Sequence, residues 1–133
     1  MIDTTYRFSL RLISETIDFN EMIPKIDGLN IIYHKKNSNL FKDSYFKVNS
    51  NILVIHDFFS CSTIDNENTN TLVNKIDELE GILSVIKVND LKRELYIKGS
   101  IENQQFGFSI NTSLINILSK YNYAFSFSGI SYL

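Results

Sequence analysis

The chain has no tryptophan, one proline and one cysteine, and only five of its 133 residues are glycine. With Cys61 alone, no internal disulfide can form, so folding has to rest on an apolar core, as in proteins of reducing compartments. The glycines, at 28, 81, 99, 107 and 129, are too scattered to build a phosphate-cradling loop, which needs several close together ahead of a helix. No apolar run approaches the ~20 residues of a membrane span. Met1 to Ser14 lacks a basic start, and Arg7 and Arg11 interrupt it where a secretory signal carries an unbroken apolar centre. A cytoplasmic protein with no membrane partner is therefore expected. Positive charge is also short: 13 Lys and Arg stand against 15 Asp and Glu, for a net charge of −2 and a pI near 5.6. That leaves no basic footprint to displace phosphate counterions, so nucleic acid is not an expected partner.

What the chain does have is apolar material. Hydrophobic residues make up 44% and aromatics 13%, while the 21% that are charged are dispersed rather than blocked, which excludes a disordered chain. A chain of this length buries roughly two thirds of its unfolded surface, so one domain spanning 1–133 is expected. Abundant Asn, Ile and Lys suggest low-GC coding and a bacterial source.

Residues 5–13, TYRFSLRLI, set Tyr6, Phe8, Leu10 and Leu12 against Arg7, Ser9 and Arg11, the period of a half-buried strand. Asp18 and Glu21 have capping-box spacing ahead of Met22, Ile23 and Ile26, which predicts a short helix stopped by Gly28 and started late or kinked by Pro24. LNIIYH reads as a strand within the irregular segment 29–50, and NILVIHDFF, 51–59, as another; CSTIDNENTN then reads as a loop. From Asn70, Leu72, Ile76, Leu79, Leu83 and Ile86 recur at steps of four and three, the pattern of a helix face, although Gly81 leaves ILSVIKV open to a strand reading. RELYIKGSI and QFGFSI, about a short polar break, predict a hairpin. Asn111 or Thr112 caps a helix carrying Leu114, Ile115, Ile117, Leu118 and Tyr121, and YAFSFSGISYL alternates as a final strand. The order implies an α+β fold, a mainly antiparallel sheet with about three helices packed on one face.

His56, Asp57 and Cys61 come nearest to a base, an orienting acid and a nucleophile. On a strand, however, His56 and Asp57 alternate to opposite faces, so a structural role outweighs a hydrolase using Cys61. A metal centre would need His34, His56, Cys61 and carboxylates to converge, but the chain has no histidine pair at helical spacing and no C-x-x-C unit. No catalytic residue, metal ligand or cofactor site is expected, and the chain reads as a non-enzyme.

Two surfaces are candidates for partner binding. Asp77, Glu78 and Glu80, with Asp65 and Glu67 upstream, make the long helix acidic, which suits a basic partner such as a nuclease toxin; a solvated helix face is the ordinary alternative. Strand parity places Arg7, Arg11, Glu94, Tyr96, Lys98, Ser126 and Ser128 opposite the apolar sets of their own strands. Arginine, tyrosine and small hydroxyls are the residue mix of recognition surfaces, against the alternative of a plain wet face.

Three stretches, YRFSLRLISETIDFNEMIPKIDGL, the helix-then-hairpin region through ELYIKGSI, and FGFSINTSLINILSKYNYAFSFSGISYL, together resemble an uncharacterised bacterial family, the domain of unknown function numbered four-two-seven-nine. They cover roughly half the chain. Members of that family typically carry a tryptophan between the first helix and the middle strands, and its absence here leaves residues 33–50 outside the resemblance. The family brings no catalytic residues, and its domains look like the immunity proteins that neutralise bacterial toxins. The resemblance therefore implies a non-enzymatic protein-binding domain with a toxin as partner. The alternative reading is a small-molecule-binding regulatory domain that dimerises through YAFSFSGISYL, whose edge could pair with a second copy.

Overall fold

Alternation in the first segment becomes strand β1, Thr5–Ser14, with Tyr6, Phe8, Leu10 and Leu12 buried and Arg7 and Arg11 exposed. The computed structural model describes residues 5–26, 30–38, 48–62, 64–84, 90–101 and 111–131. After β1 come strand β2, Asn30–His34; strand β3, Asn51–Cys61; helix α1, Asn66–Leu83; strand β4, Lys92–Ile101; helix α2, Thr112–Lys120; and strand β5, Tyr123–Ser131. The five strands form one sheet in the order β2-β3-β1-β4-β5.

The sheet is mixed rather than mainly antiparallel in full. β4 and β5 run parallel, while the other neighbouring pairs are antiparallel. Parallel neighbours need a crossover instead of a tight turn, and α2 lies in that connection. Both edges of β4 are taken, by β1 and β5. The second arm of the expected hairpin, QFGFSI, lies outside the described residues, as do 39–47 and 85–89.

Two α-helices, not three, are present among the described residues. The expected first helix is a pair of 3-10 turns, Phe19–Glu21 and Ile23–Ile26. Pro24 lacks the N–H that a regular helix requires there and its ring blocks the preceding turn. The Asp18 carboxylate still caps the first turn, accepting the Asn20 N–H at 3.0 Å and the Tyr33 hydroxyl at 3.0 Å. Those bonds, with the Asn20 N–H foremost, hold the Asp18 carboxyl below the ordinary aspartate value. The segment read as a loop to Asn70 is also shorter than expected: β3 runs on to Cys61 and α1 begins at Asn66. Asp65 is its cap, accepting the Asn68 N–H at 2.8 Å. Asn111 caps α2 in the same way through the Leu114 N–H, at 3.0 Å.

One core results. Leu72, Ile76, Leu79 and Leu83 of α1 and Leu114, Ile117 and Leu118 of α2 pack with Tyr6, Phe8, Leu10, Leu12, Leu53, Ile55, Leu95 and Ile97 of the sheet. Phe19, Met22 and Ile26 of the 3-10 turns complete it, whereas Ile115 faces solvent. A polar knot secures one end: Ser14 Oγ and Thr16 Oγ1 each donate to Asp90 at 2.9 Å, and the Glu15 N–H donates to its other oxygen at 2.9 Å. Both helices and the 3-10 turns belong to this side, so the opposite side of the sheet carries the other half of every strand's alternation.

Candidate functional site

The uncovered side of the sheet is built from cross-strand rows fixed by register. Arg7 lies between Ser60 of β3 and Lys98 of β4, with Ser128 of β5 beyond. In the next row Ser9 faces Tyr96, and Tyr96 faces Ser126; in the third, Arg11 lies between Val54 and Glu94, with Ala124 beyond. The register thus sets Arg7, Arg11, Tyr96 and Lys98 side by side, with Glu94, Ser126 and Ser128 among them.

A bulge completes the site. Pairing between β1 and β3 jumps from Phe8 with Phe59 to Leu10 with Ile55, so His56, Asp57 and Phe58 stand opposite Ser9 alone. Asp57 takes a left-handed conformation, φ 46°, which aspartate tolerates better than bulkier residues, and its N–H donates to Ser9 Oγ at 3.0 Å. Simple strand alternation fails here. Instead of pointing to opposite faces, His56 and Asp57 both line a groove of about 590 Å³ with Arg7, Ser9, Arg11 and Tyr96.

Charges in the groove are unevenly matched. Arg11 Nε donates to Glu94 Oε2 at 2.7 Å, and its Nη2 reaches the same oxygen. Arg7 approaches Asp57 only to 3.9 Å, beyond hydrogen-bond distance. Lys98 has no ion-pair partner among the described residues. Tyr96 is 39% exposed at the groove. Beside it runs an aliphatic strip, with Ile32 opposite Val54 and Ile13 opposite Ile52; Ile32 is 43% exposed.

The acidic helix set separates. Asp77 and Glu78 are exposed, and Asp77 accepts the Tyr121 hydroxyl at 3.1 Å. Glu80 is not a surface charge: it is 4% exposed and binds Arg93 through both oxygens, at 2.6 and 3.1 Å. The Tyr123 hydroxyl donates to it at 2.7 Å. Burial first, and then the Glu80 carboxylate, push Tyr123 ionisation far above the ordinary tyrosine value. The pair was readable in principle, since Glu80 lies four residues after Ile76 on the apolar stripe and Arg93 shares the parity of Leu95 and Ile97.

The nucleophile set does not assemble. Cys61 pairs with Tyr6 and packs against the core, whereas His56 is on the groove side. Among the described residues, no group of three or more His, Cys, Asp or Glu side chains could hold a metal ion, and no helix is long and apolar enough to cross a membrane. No protein-family model, curated protein or solved structure matches the chain, so the resemblance to family four-two-seven-nine rests on the three quoted stretches alone.

Proposed function

We propose that this chain is a non-enzymatic cytoplasmic binding domain that engages a protein partner through the uncovered sheet face. The observation that carries the reading is the groove of about 590 Å³, which sets an exposed Tyr96 and three cations beside an aliphatic strip. Aromatic and arginine anchors next to apolar contact area, within a charged surround, are the composition of protein-binding surfaces. A toxin as that partner, which would make the chain an immunity protein, is supported by the family resemblance. Of the two candidate surfaces, the sheet face is favoured over the helix because Glu80 is withdrawn from the acidic set, which thins its centre to Asp77 and Glu78, with Asp65 and Glu67 at the far end of the helix.

A photo-crosslinking side chain placed at position 96, and separately at position 78, tests this in extract of the source cells. Capture of one discrete protein from position 96 and not from 78 is expected. Capture from 78 alone would sink the sheet-face assignment. With that partner purified, Tyr96→Ala should speed its dissociation about thirtyfold, the effect of losing an anchor of about 2 kcal/mol. The groove volume also lies in the range of small-molecule sites, which favours as second reading a ligand-binding regulatory domain that dimerises through β5, one of the two edge strands of the described sheet. Concentration-dependent dimerisation with no crosslinked partner would move the assignment there.

A further inference from the structure

We propose that the Arg7–Lys98 end of the groove is an oxyanion subsite, filled in the complex by a side-chain carboxylate of the protein partner; this rests on the sheet-face reading above. Arg7 and Lys98 are direct cross-strand partners, an arrangement that is unfavourable for like charges unless an anion lies between them. Lys98 has no ion-pair partner among the described residues, and Arg7 has only a long one, to Asp57. Asp57 stands 3.9 Å from Arg7, which leaves the guanidinium donors open, and Glu94 is occupied by Arg11. Counting Arg7, Arg11 and Lys98 against Asp57 and Glu94 gives the groove lining a charge of +1, opposite to the net charge of −2 of the chain.

The surplus is therefore local, and it lies where Ser9, Ser126 and Tyr96 bring hydroxyl groups to the next row. Two cations with adjacent hydroxyls are suited to a carboxylate or phosphate, whose oxygens accept several charge-assisted hydrogen bonds at once. The same sign disfavours a basic partner on this face. A partner that meets the sheet presents an acidic residue to Arg7 and Lys98 and apolar side chains to Ile32 and Val54.

Inorganic phosphate is the probe. Titrated into the labelled protein, it should give saturable amide shifts confined to Arg7, Ser9, Lys98 and Ser126, with no such response to chloride at matched ionic strength. Lys98→Gln and Arg7→Gln should each weaken phosphate binding about tenfold at unchanged melting temperature. Shifts that are diffuse, non-saturating or unaltered in both variants would overturn the subsite. The source of the anion is decided separately. Phosphate should compete with the partner captured at position 96, and a partner that is not displaced would overturn its role as the carboxylate donor and assign the subsite to a free anion. Capture at 96 without any phosphate response would leave the proposed function standing and remove this inference, whereas a phosphate response without capture would do the reverse.

Discussion

Arg93 and Glu94 are consecutive residues of β4, yet each belongs to an arginine–carboxylate pair on a different side of the sheet. Arg93 reaches Glu80 of α1 on the covered side, where Glu80 is buried and Tyr123 adds a hydroxyl. Glu94 meets Arg11 on the uncovered side, where both side chains remain partly in water. The chemistry is the same, and desolvation makes the difference. A charge taken out of water depends on its partner, whereas a charge left in water can exchange that partner for solvent or ligand at little cost. Covered-side charges therefore hold the fold, and uncovered-side charges are the ones that binding can recruit.

The comparison is broken most severely by charging the covered side. Leu10 is 1% exposed, so Leu10→Asp buries a carboxylate with no partner and should cost several kcal/mol, enough to unfold a domain of ordinary stability. Its neighbour Arg11 faces the groove, and Arg11→Ser should shift the melting temperature little. Equal melting temperatures for the two variants would show that the faces are exchanged. Next in size is Glu80→Ala, which strands Arg93 and deprives the Tyr123 hydroxyl of its acceptor; a loss of about 3 kcal/mol in denaturant midpoint experiments is expected. A loss below 1 kcal/mol would mean that water reaches the pair.

The alternation of β1 and β5, the Asp18 and Asn111 caps and the apolar stripe of α1 were legible, because each depends on neighbours within a few residues. Three features were not. The parallel pairing of β4 and β5 is set by where α2 carries the chain, which no local period encodes. The 3-10 turns arise from Pro24 acting on a segment whose apolar spacing still looks helical. The bulge at His56, Asp57 and Phe58 shifts the parity of β3, and a run of apolar residues on either side gives no sign of it. The groove was half visible for that reason: β1, β4 and β5 declare their outward residues, whereas β3 contributes His56 and Asp57 only through the bulge.

A smaller effect distinguishes the polar knot from both pairs. Burial alone would raise the Asp90 carboxyl, but hydrogen bonds from Ser14, Thr16 and the Glu15 N–H outweigh it and hold Asp90 below the ordinary value of 3.8. A depressed folded value contributes stability above the unfolded pKa, and that contribution is lost as pH falls through the folded one. Asp90→Asn should therefore be less stable than the parent at neutral pH, and the gap should close as pH drops below about 4. A gap that stays constant into the acid range would show that the carboxylate charge is not what the knot uses. Ser14→Ala, which removes the hydroxyl that also receives the Ile17 N–H at 2.9 Å, should cost about 1–2 kcal/mol at neutral pH.

The smallest effect tests the uncovered side directly. A double-mutant cycle with Arg11→Ala and Glu94→Ala should return a coupling of about 0.5 kcal/mol, and salt should reduce it further, because both groups are reached by water and counterions. The matching cycle with Arg93→Ala and Glu80→Ala should give a several-fold larger coupling that salt hardly changes, because Glu80 is screened by protein rather than solvent. If the Arg11–Glu94 coupling equals the buried one, the outer pair is part of the structural frame, and the groove loses the exchangeable charges on which the proposed binding rests. If it is small, Glu94 can release Arg11 to a partner at little cost in stability. The same substitutions would then change partner dissociation more than they change the melting temperature, which is the pattern of a surface kept for binding.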